Sequence, residues 1–117
     1  MADADRITAA ITALVPRDPR VRLDVRGGVS RPPMERTTGV SALYALARDV
    51  AESCGRSLEE GSTGGGSDGN FTAALGVPTL DGLGAEGGGA HALHEHVLVE
   101  SLPFRAALVA GLLTRVE

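Results

Sequence analysis

The distribution of glycine constrains the fold of this chain more than any other feature. Of its 16 glycines, 11 lie between Gly61 and Gly89. Glycine loses more conformational freedom on folding than any other residue, so dense glycine is kept where backbone must approach another group or adopt a positive φ. Two segments hold most of it: GSTGGGSDGNF, which begins at Gly61, and GGGAHALHEHV, which begins at Gly87. We call them the first and second glycine loops and treat them as the first candidates for a binding site.

Composition narrows the classes of protein to which the chain can belong. Its 117 residues are 43% hydrophobic but only 3% aromatic, which indicates one small globular unit with a core of Ala, Leu and Val. The net charge of −4 and the lack of a basic run argue against nucleic-acid binding. The single cysteine, Cys54, suits a reducing compartment. With neither a signal-peptide pattern nor a spanning apolar run, we expect a cytoplasmic protein that does not bind membranes.

Helical periodicity occurs in four segments. It predicts helices over residues 3–15, from a cap at Thr37 or Thr38 to Cys54, over 70–75, and from a cap at Ser101 to the end. The predicted buried face of the second helix consists of Val40, Leu43, Ala47, Val50 and Cys54. The predicted buried face of the last helix consists of Leu102, Ala106, Val109, Leu113 and Val116.

Three short segments read as strands between these helices. Val21, Leu23 and Val25 alternate with charged residues, and residues 57–60 and the segment VPTLDGLG are further candidates. Alternating helices and strands predict an α/β fold. The first helix and strand cannot bury their apolar faces alone and join the rest through the stiff connector GGVSRPPME, so they resemble the end of a neighbouring domain. We expect the bare apolar faces to favour association or aggregation.

The first glycine loop has two interpretations. Consecutive glycines before a helix can form a nest of N–H groups for an anion such as a carboxylate. Alternatively, the loop is a tight structural turn in which Asp68 caps the helix. The loop contains neither the Gly-Lys-Ser/Thr of a phosphate loop nor a nucleophile elbow, and Ser67 next to Asp68 cannot form a catalytic triad.

The second glycine loop carries His91, His94 and His96 together with Glu95, and imidazole and carboxylate are common ligands of first-row metals. Their spacing matches neither a zinc finger nor a His-Glu-x-x-His motif. His91, nearest to the glycines, is the best candidate ligand. Arg31, held between a strand end and two prolines, suits a carboxylate clamp, although a surface arginine paired with Glu35 is the simpler alternative.

Taken together, Arg-Pro, Gly-Gly-x-Ser-Asp and Gly-x-His-x-x-x-Glu resemble, in this order, the C-terminal part of a zinc aminoacylase and carboxypeptidase family. That family includes glutamate carboxypeptidase, acetylornithine deacetylase and succinyl-diaminopimelate desuccinylase. The resemblance runs from about Ile7 to the end of the chain. It implies a partial three-layer α/β/α catalytic domain of the zinc-exopeptidase type over 31–117. Residues 1–30 would be the last helix and strand of a ferredoxin-like lid that often dimerises.

The resemblance also implies roles for individual residues. His91 corresponds to the last ligand of a two-zinc site in which cobalt or manganese can replace zinc, and Glu95 to a residue that supports it. Arg31 corresponds to the lid arginine that grips a substrate carboxylate. Three further positions would line the substrate near Asn70, namely Gly65, Gly66 and Ser67.

The family's His-x-Asp ligand, its bridging Asp and its Glu-Glu pair, which includes the general base, have no counterpart here. Glu59-Glu60 lies in the wrong place to replace them. We therefore expect a truncated amide or peptide hydrolase for N-acylated or C-terminal acidic amino acids, inactive alone and without a catalytic residue of its own. It would form a homodimer through the lid or associate with a missing N-terminal half. Two alternatives stay open: a stand-alone carboxylate-binding module and one half of a split enzyme.

Overall fold

Helices form most of the regular structure in residues 2–116, which are the residues that the computed structural model describes. The elements in chain order are α1 (Ala2–Thr12), α2 (Thr38–Ser53), α3 (Gly69–Ala74), β1 (Gly87–Gly88), β2 (His96–Val97), a 3₁₀ turn (Val99–Ser101) and α4 (Leu102–Leu113). The chain divides into two compact units. Unit 1 takes the residues up to Glu35 together with Gly65–Val77, and unit 2 takes Arg36–Gly64 together with the residues from Pro78 onward.

The helix boundaries follow the local signals in the sequence. Thr37 caps α2, since its hydroxyl oxygen accepts a hydrogen bond of 3.2 Å from the N–H of Val40. Gly55, with φ of +72°, follows the end of α2, as predicted for a glycine in the left-handed region. α3 lies within one residue of its predicted bounds, whereas α1 ends at Thr12, three residues before its predicted end.

The core of unit 2 lies between α2 and α4. Ala47, Val50 and Ala51 of α2 are buried together with Leu108 and Leu112 of α4. One prediction about α2 was wrong: Cys54 is exposed rather than part of its buried face.

The predicted face of α4 is also turned to solvent: Leu102, Val109 and Leu113 are 45%, 37% and 76% exposed. α4 is apolar on nearly every side, so two stripes offset by one residue fit its sequence equally well. Only the position of α2 selects between them. The helix therefore buries the stripe that contains Leu108 and Leu112.

Ser101 precedes α4 as predicted, but it does not cap the helix through its side chain. The preceding residues form the 3₁₀ turn, and the Ser101 hydroxyl donates a hydrogen bond of 2.7 Å to the carbonyl of Leu98. The same oxygen accepts the N–H of Glu86 at 3.0 Å. Ser101 is 1% exposed, and its buried hydroxyl is satisfied by two backbone groups of the preceding loop instead of by the helix end.

None of the three predicted strands forms within residues 2–116. The sheet there consists of β1 and β2, which pair antiparallel with Gly87 opposite Val97 and Gly88 opposite His96. Alternation of apolar and charged residues favours extended backbone, but a strand also needs a neighbour for its hydrogen bonds. The segment Val21–Val25 has no such neighbour among the described residues. The structure thus shows helices with a small sheet, which is consistent with part of an α/β domain.

Apolar side chains remain exposed on α1. Ile7 and Ile11 are each 48% exposed, and together with Val25 and Val29 they line a shallow groove of about 400 Å³. This bare face is the one that the sequence predicted. Among residues 2–116, no helix combines the length and the apolarity that crossing a bilayer requires.

The substitution Gly111→Ala tests the packing of α4 on α2. A β-carbon at Gly111 would lie 2.6 Å from Cγ1 of Val50, closer than two carbon atoms can pack. Alanine normally favours a helix over glycine by about 1 kcal/mol. Here we expect the clash to reverse that gain and to lower the free energy of unfolding by about 1–3 kcal/mol, measured by chemical denaturation.

Two controls accompany this measurement. Gly84→Ala places a β-carbon in open space, and we expect its stability to match the parent chain. In the double variant Val50→Ala with Gly111→Ala the clashing methyl is absent, so the two losses should be less than additive. Equal stability of Gly111→Ala and the parent chain would contradict the close approach of the two helices.

Candidate functional site

Arg31 and the first glycine loop meet within unit 1. Nη1 of Arg31 lies 3.0 Å from Oδ1 of Asp68, and its guanidinium carbon lies 5.0 Å from the centre of the Phe71 ring. A β-carbon at Gly66 would lie 3.1 Å from Cδ of Arg31, so the loop backbone passes directly against the arginine stem. The Arg31 side chain keeps 42% of its surface exposed. The arginine is thus held on three sides and open to solvent on the rest.

Asn70 joins the first glycine loop to the Arg-Pro segment. Its Nδ2 donates a hydrogen bond of 2.8 Å to the carbonyl of Pro32, and its Oδ1 accepts the N–H of Ser67 at 2.8 Å. The Asn70 residue is buried, at 9% exposure. The Ser67 hydroxyl accepts the N–H of Gly69 at 3.1 Å. The amide of Asn70 and the hydroxyl of Ser67 therefore shape the loop, and their direct contact with a substrate stays a prediction.

Asp68 lies at the N-cap position of α3, but its carboxylate makes no capping hydrogen bond. It pairs instead with Arg31. The sequence placed Asp68 correctly and missed its partner, because an aspartate before a helix predicts a cap and nothing local points to an arginine 37 residues earlier. The stacking of Arg31 on Phe71 was missed for the same reason.

The second glycine loop forms the β1–β2 hairpin of unit 2, with β1 and β2 at its two ends. Two successive turns close it: the N–H of Ala92 donates to the carbonyl of Gly89 at 2.8 Å, and that of Glu95 to Ala92 at 3.0 Å. His91 occupies the first turn with φ of +66°. It is the single non-glycine residue with a positive φ within residues 2–116. Histidine enters this region more readily than most residues, but at a cost in free energy.

The side chains of this loop differ in the hydrogen bonds and contacts that they make. The His96 ring donates from Nδ1 to the carbonyl of His94 at 3.0 Å, which leaves Nε2 of a neutral ring as an acceptor. The His94 ring lies over Gly89, where a β-carbon would be 2.6 Å from its Cδ2. Glu95 accepts the backbone N–H of His91 at 3.4 Å. In the part of the chain that the structure describes, the imidazole of His91 has no hydrogen-bond partner.

These residues do not assemble a metal centre by themselves. No group of three or more His, Cys, Asp or Glu side chains able to hold a metal ion occurs among residues 2–116. Hydrolytic zinc sites use about three protein ligands with one position left for water or substrate. Arg31 and the loop from Gly65 to Asn70 belong to unit 1, and His91 and Glu95 belong to unit 2.

The model for peptidase family M20/M25/M40 matches residues 4–115 of the chain. No solved structure matches the chain. The matched range takes in Arg31, both glycine loops and all three histidines.

Asn70→Ala tests the link between the loop and the Arg-Pro segment. The change leaves the part-buried N–H of Ser67 and carbonyl of Pro32 without their partner, so we expect the free energy of unfolding to fall by about 1–3 kcal/mol. Thr12→Ala is the matched control, because the Thr12 hydroxyl bonds only to carbonyls of its own exposed helix turn. It should change stability by less than about 0.5 kcal/mol. Equal effects of the two variants, measured by thermal unfolding, would contradict a structural role of Asn70.

His91→Gly tests whether the imidazole serves folding. Glycine removes the left-handed penalty of about 1–2 kcal/mol but makes the unfolded chain more flexible by about 0.4–1 kcal/mol. We therefore expect His91→Gly to be at least as stable as the parent chain by thermal unfolding. His91→Ala, which retains the β-carbon and the strain, should match the parent. A large loss of stability in both variants would show that the ring is kept for structure.

Proposed function

The chain belongs to peptidase family M20/M25/M40, and from this premise we propose that it is part of a metal-dependent hydrolase of amide or peptide bonds. Its substrates would be N-acylated amino acids or peptides that end in an acidic amino acid. The observation that carries this proposal is Arg31, fixed by its neighbours yet 42% exposed. Such an arginine is suited to recognition of an incoming carboxylate.

Arg31 would bind the substrate carboxylate. A guanidinium offers five N–H donors in a planar fork that matches the two oxygens of a carboxylate. The Phe71 ring covers one face of the fork, and the backbone at Gly66 lies against the arginine stem. Gly65 and Ser67 would line the same part of the substrate. Asn70 would hold the loop in place through its bonds to Ser67 and Pro32. Because the arginine is held before the ligand arrives, little of the binding free energy is spent on ordering it.

His91 would supply one metal ligand. Members of the family bind zinc or another divalent metal, and cobalt or manganese could replace zinc here. The His91 ring is exposed and uncommitted to any hydrogen bond within residues 2–116, and its backbone adopts the strained conformation that often marks functional residues. Glu95 fixes the backbone of His91 through the contact at 3.4 Å. A functional metal centre would need further donors from outside the described residues, since these contain no three-donor group.

The 117-residue chain would accordingly bind substrate without hydrolysing it. It holds a carboxylate-binding arginine and one candidate metal ligand, but the described residues include neither a complete donor set nor a general base placed beside one. A second candidate, a stand-alone carboxylate-binding module, is favoured by the same Arg31 geometry. The two candidates differ in whether the chain contributes His91 to a metal centre completed by other residues, either in the same protein or in an associated chain.

N-acetylglutamate, titrated by calorimetry with and without zinc, tests the proposed function. We expect the parent chain to bind it and to release no acetate above the blank. Arg31→Gln should lose most of the binding, because none of the residues described around it, Gly66, Asp68 and Phe71, carries a positive charge. Arg48→Gln is the matched control: it removes the same charge from an exposed arginine paired with Glu52 in α2.

Two outcomes would contradict the proposal. Acetate release by the pure chain with added zinc would show that it needs no further donors. Equal affinity of the parent chain and Arg31→Gln would remove Arg31 as the carboxylate-binding residue and leave the function without its main support.

A further inference from the structure

Asp68 makes an ion pair that its local sequence does not explain. It stands directly before α3, where an aspartate normally accepts a backbone N–H of the first turn. Its carboxylate makes no such bond and lies on Nη1 of Arg31 at 3.0 Å. The aspartate gives up a cap, a local interaction, for an ion pair with a residue 37 positions away.

The ion pair is not needed to hold Arg31. The Phe71 ring already lies 5.0 Å from the guanidinium carbon, and the backbone at Gly66 already confines the stem. The Asn70 amide ties the loop to Pro32, the neighbour of Arg31. The Asp68 side chain itself is 93% exposed. An ion pair this exposed contributes little to stability, so its presence on the guanidinium calls for another explanation.

The pair blocks the group that would bind substrate. A carboxylate approaching Arg31 needs two adjacent N–H donors, and in the free chain one of the terminal nitrogens already faces the carboxylate of Asp68. A second carboxylate beside Asp68 would also be repelled by it. A bidentate approach that uses Nη1 therefore requires Asp68 to move away. An exposed side chain on the loop can do so through its own torsions without disturbing Phe71 or Asn70.

We propose that Asp68 acts as an internal carboxylate that occupies Arg31 in the free chain and that a substrate carboxylate must displace. The proposal rests on the assignment of Arg31 as the substrate-binding arginine. The apparent dissociation constant is then the intrinsic one divided by the fraction of chains in which Arg31 is open. Asp68 thus weakens the binding of every carboxylate at Arg31 by the same factor.

Neutral replacements of Asp68 test this proposal with N-acetylglutamate and calorimetry at low ionic strength. Asp68→Asn and Asp68→Ser remove the competing charge, and both residues are good helix caps, so α3 is not weakened. We expect both to bind up to about fivefold more tightly than the parent chain, the range that an exposed ion pair allows. Asp68→Glu restores the carboxylate and should bind close to the parent chain.

Asp49→Asn controls for net charge. It removes the same charge from an exposed position on α2, in unit 2, and should leave the affinity unchanged. An equal gain in Asp49→Asn would reduce the effect to general electrostatics and overturn the proposal. Unchanged or weaker binding in both neutral variants would also overturn it, because removal of a carboxylate that competes for Arg31 must raise the affinity.

The Arg31→Gln variant distinguishes a failure of the role proposed for Asp68 from a failure of the assignment of Arg31. If Arg31→Gln loses binding while Asp68→Asn gains none, Arg31 remains the carboxylate-binding residue and only the role of Asp68 fails. If Arg31→Gln binds as the parent chain does, the assignment of Arg31 fails and the role of Asp68 fails with it. Thermal unfolding of each variant confirms that the compared proteins are folded.

Discussion

The carboxamide of Asn70 is the contact on which the organisation of unit 1 depends. A buried amide must find partners for both its donor and its acceptor, and this one finds them in two distant segments, at the carbonyl of Pro32 and the N–H of Ser67. By satisfying both, it brings the Arg-Pro segment against the glycine loop. The loop can then pass so near to Arg31 that a side chain at Gly66 would press on it. A short polar link thereby gives the arginine a fixed place in a part of the chain with little regular structure.

The glycine density has different causes in its two loops. In the first loop, Gly66 lies where a β-carbon would come within 3.1 Å of the Arg31 stem, and the polar residues of the loop bond to one another. In the second loop, Gly89 combines a positive φ with the ring of His94 where a β-carbon would lie. His91 takes the same kind of backbone conformation without glycine's freedom, and it alone does so among the described residues. This backbone strain thus falls on His91, the residue that the sequence singled out as a candidate metal ligand.

The features predicted correctly from the sequence depend on a few neighbouring residues. The predictions failed where a feature depends on a segment far away in the chain. Thr37 and Gly55 mark the two ends of α2 as predicted, because a cap and a left-handed glycine depend on a few neighbouring residues. The buried face of α4 was wrong, since an apolar helix offers several stripes and only α2 selects one. The strand at Val21–Val25 lacks a neighbour among the described residues, and alternation cannot supply one. Arg31 could be chosen as a candidate from its prolines, but its contacts with Asp68 and Phe71 join segments far apart in sequence.

Under the proposed function, the site residues of this chain serve substrate recognition more than catalysis. Family membership extends over residues 4–115, yet no three potential metal ligands come together in the described range. Around Arg31 the structure places a stacking surface at Phe71, the loop backbone at Gly66 and the carboxylate of Asp68. His91, by contrast, lies on a strained turn in no three-donor group of the described residues, and as a proposed metal ligand it would need further donors. Under the proposed function, then, these residues select and hold the substrate, whereas bond cleavage depends on groups beyond them.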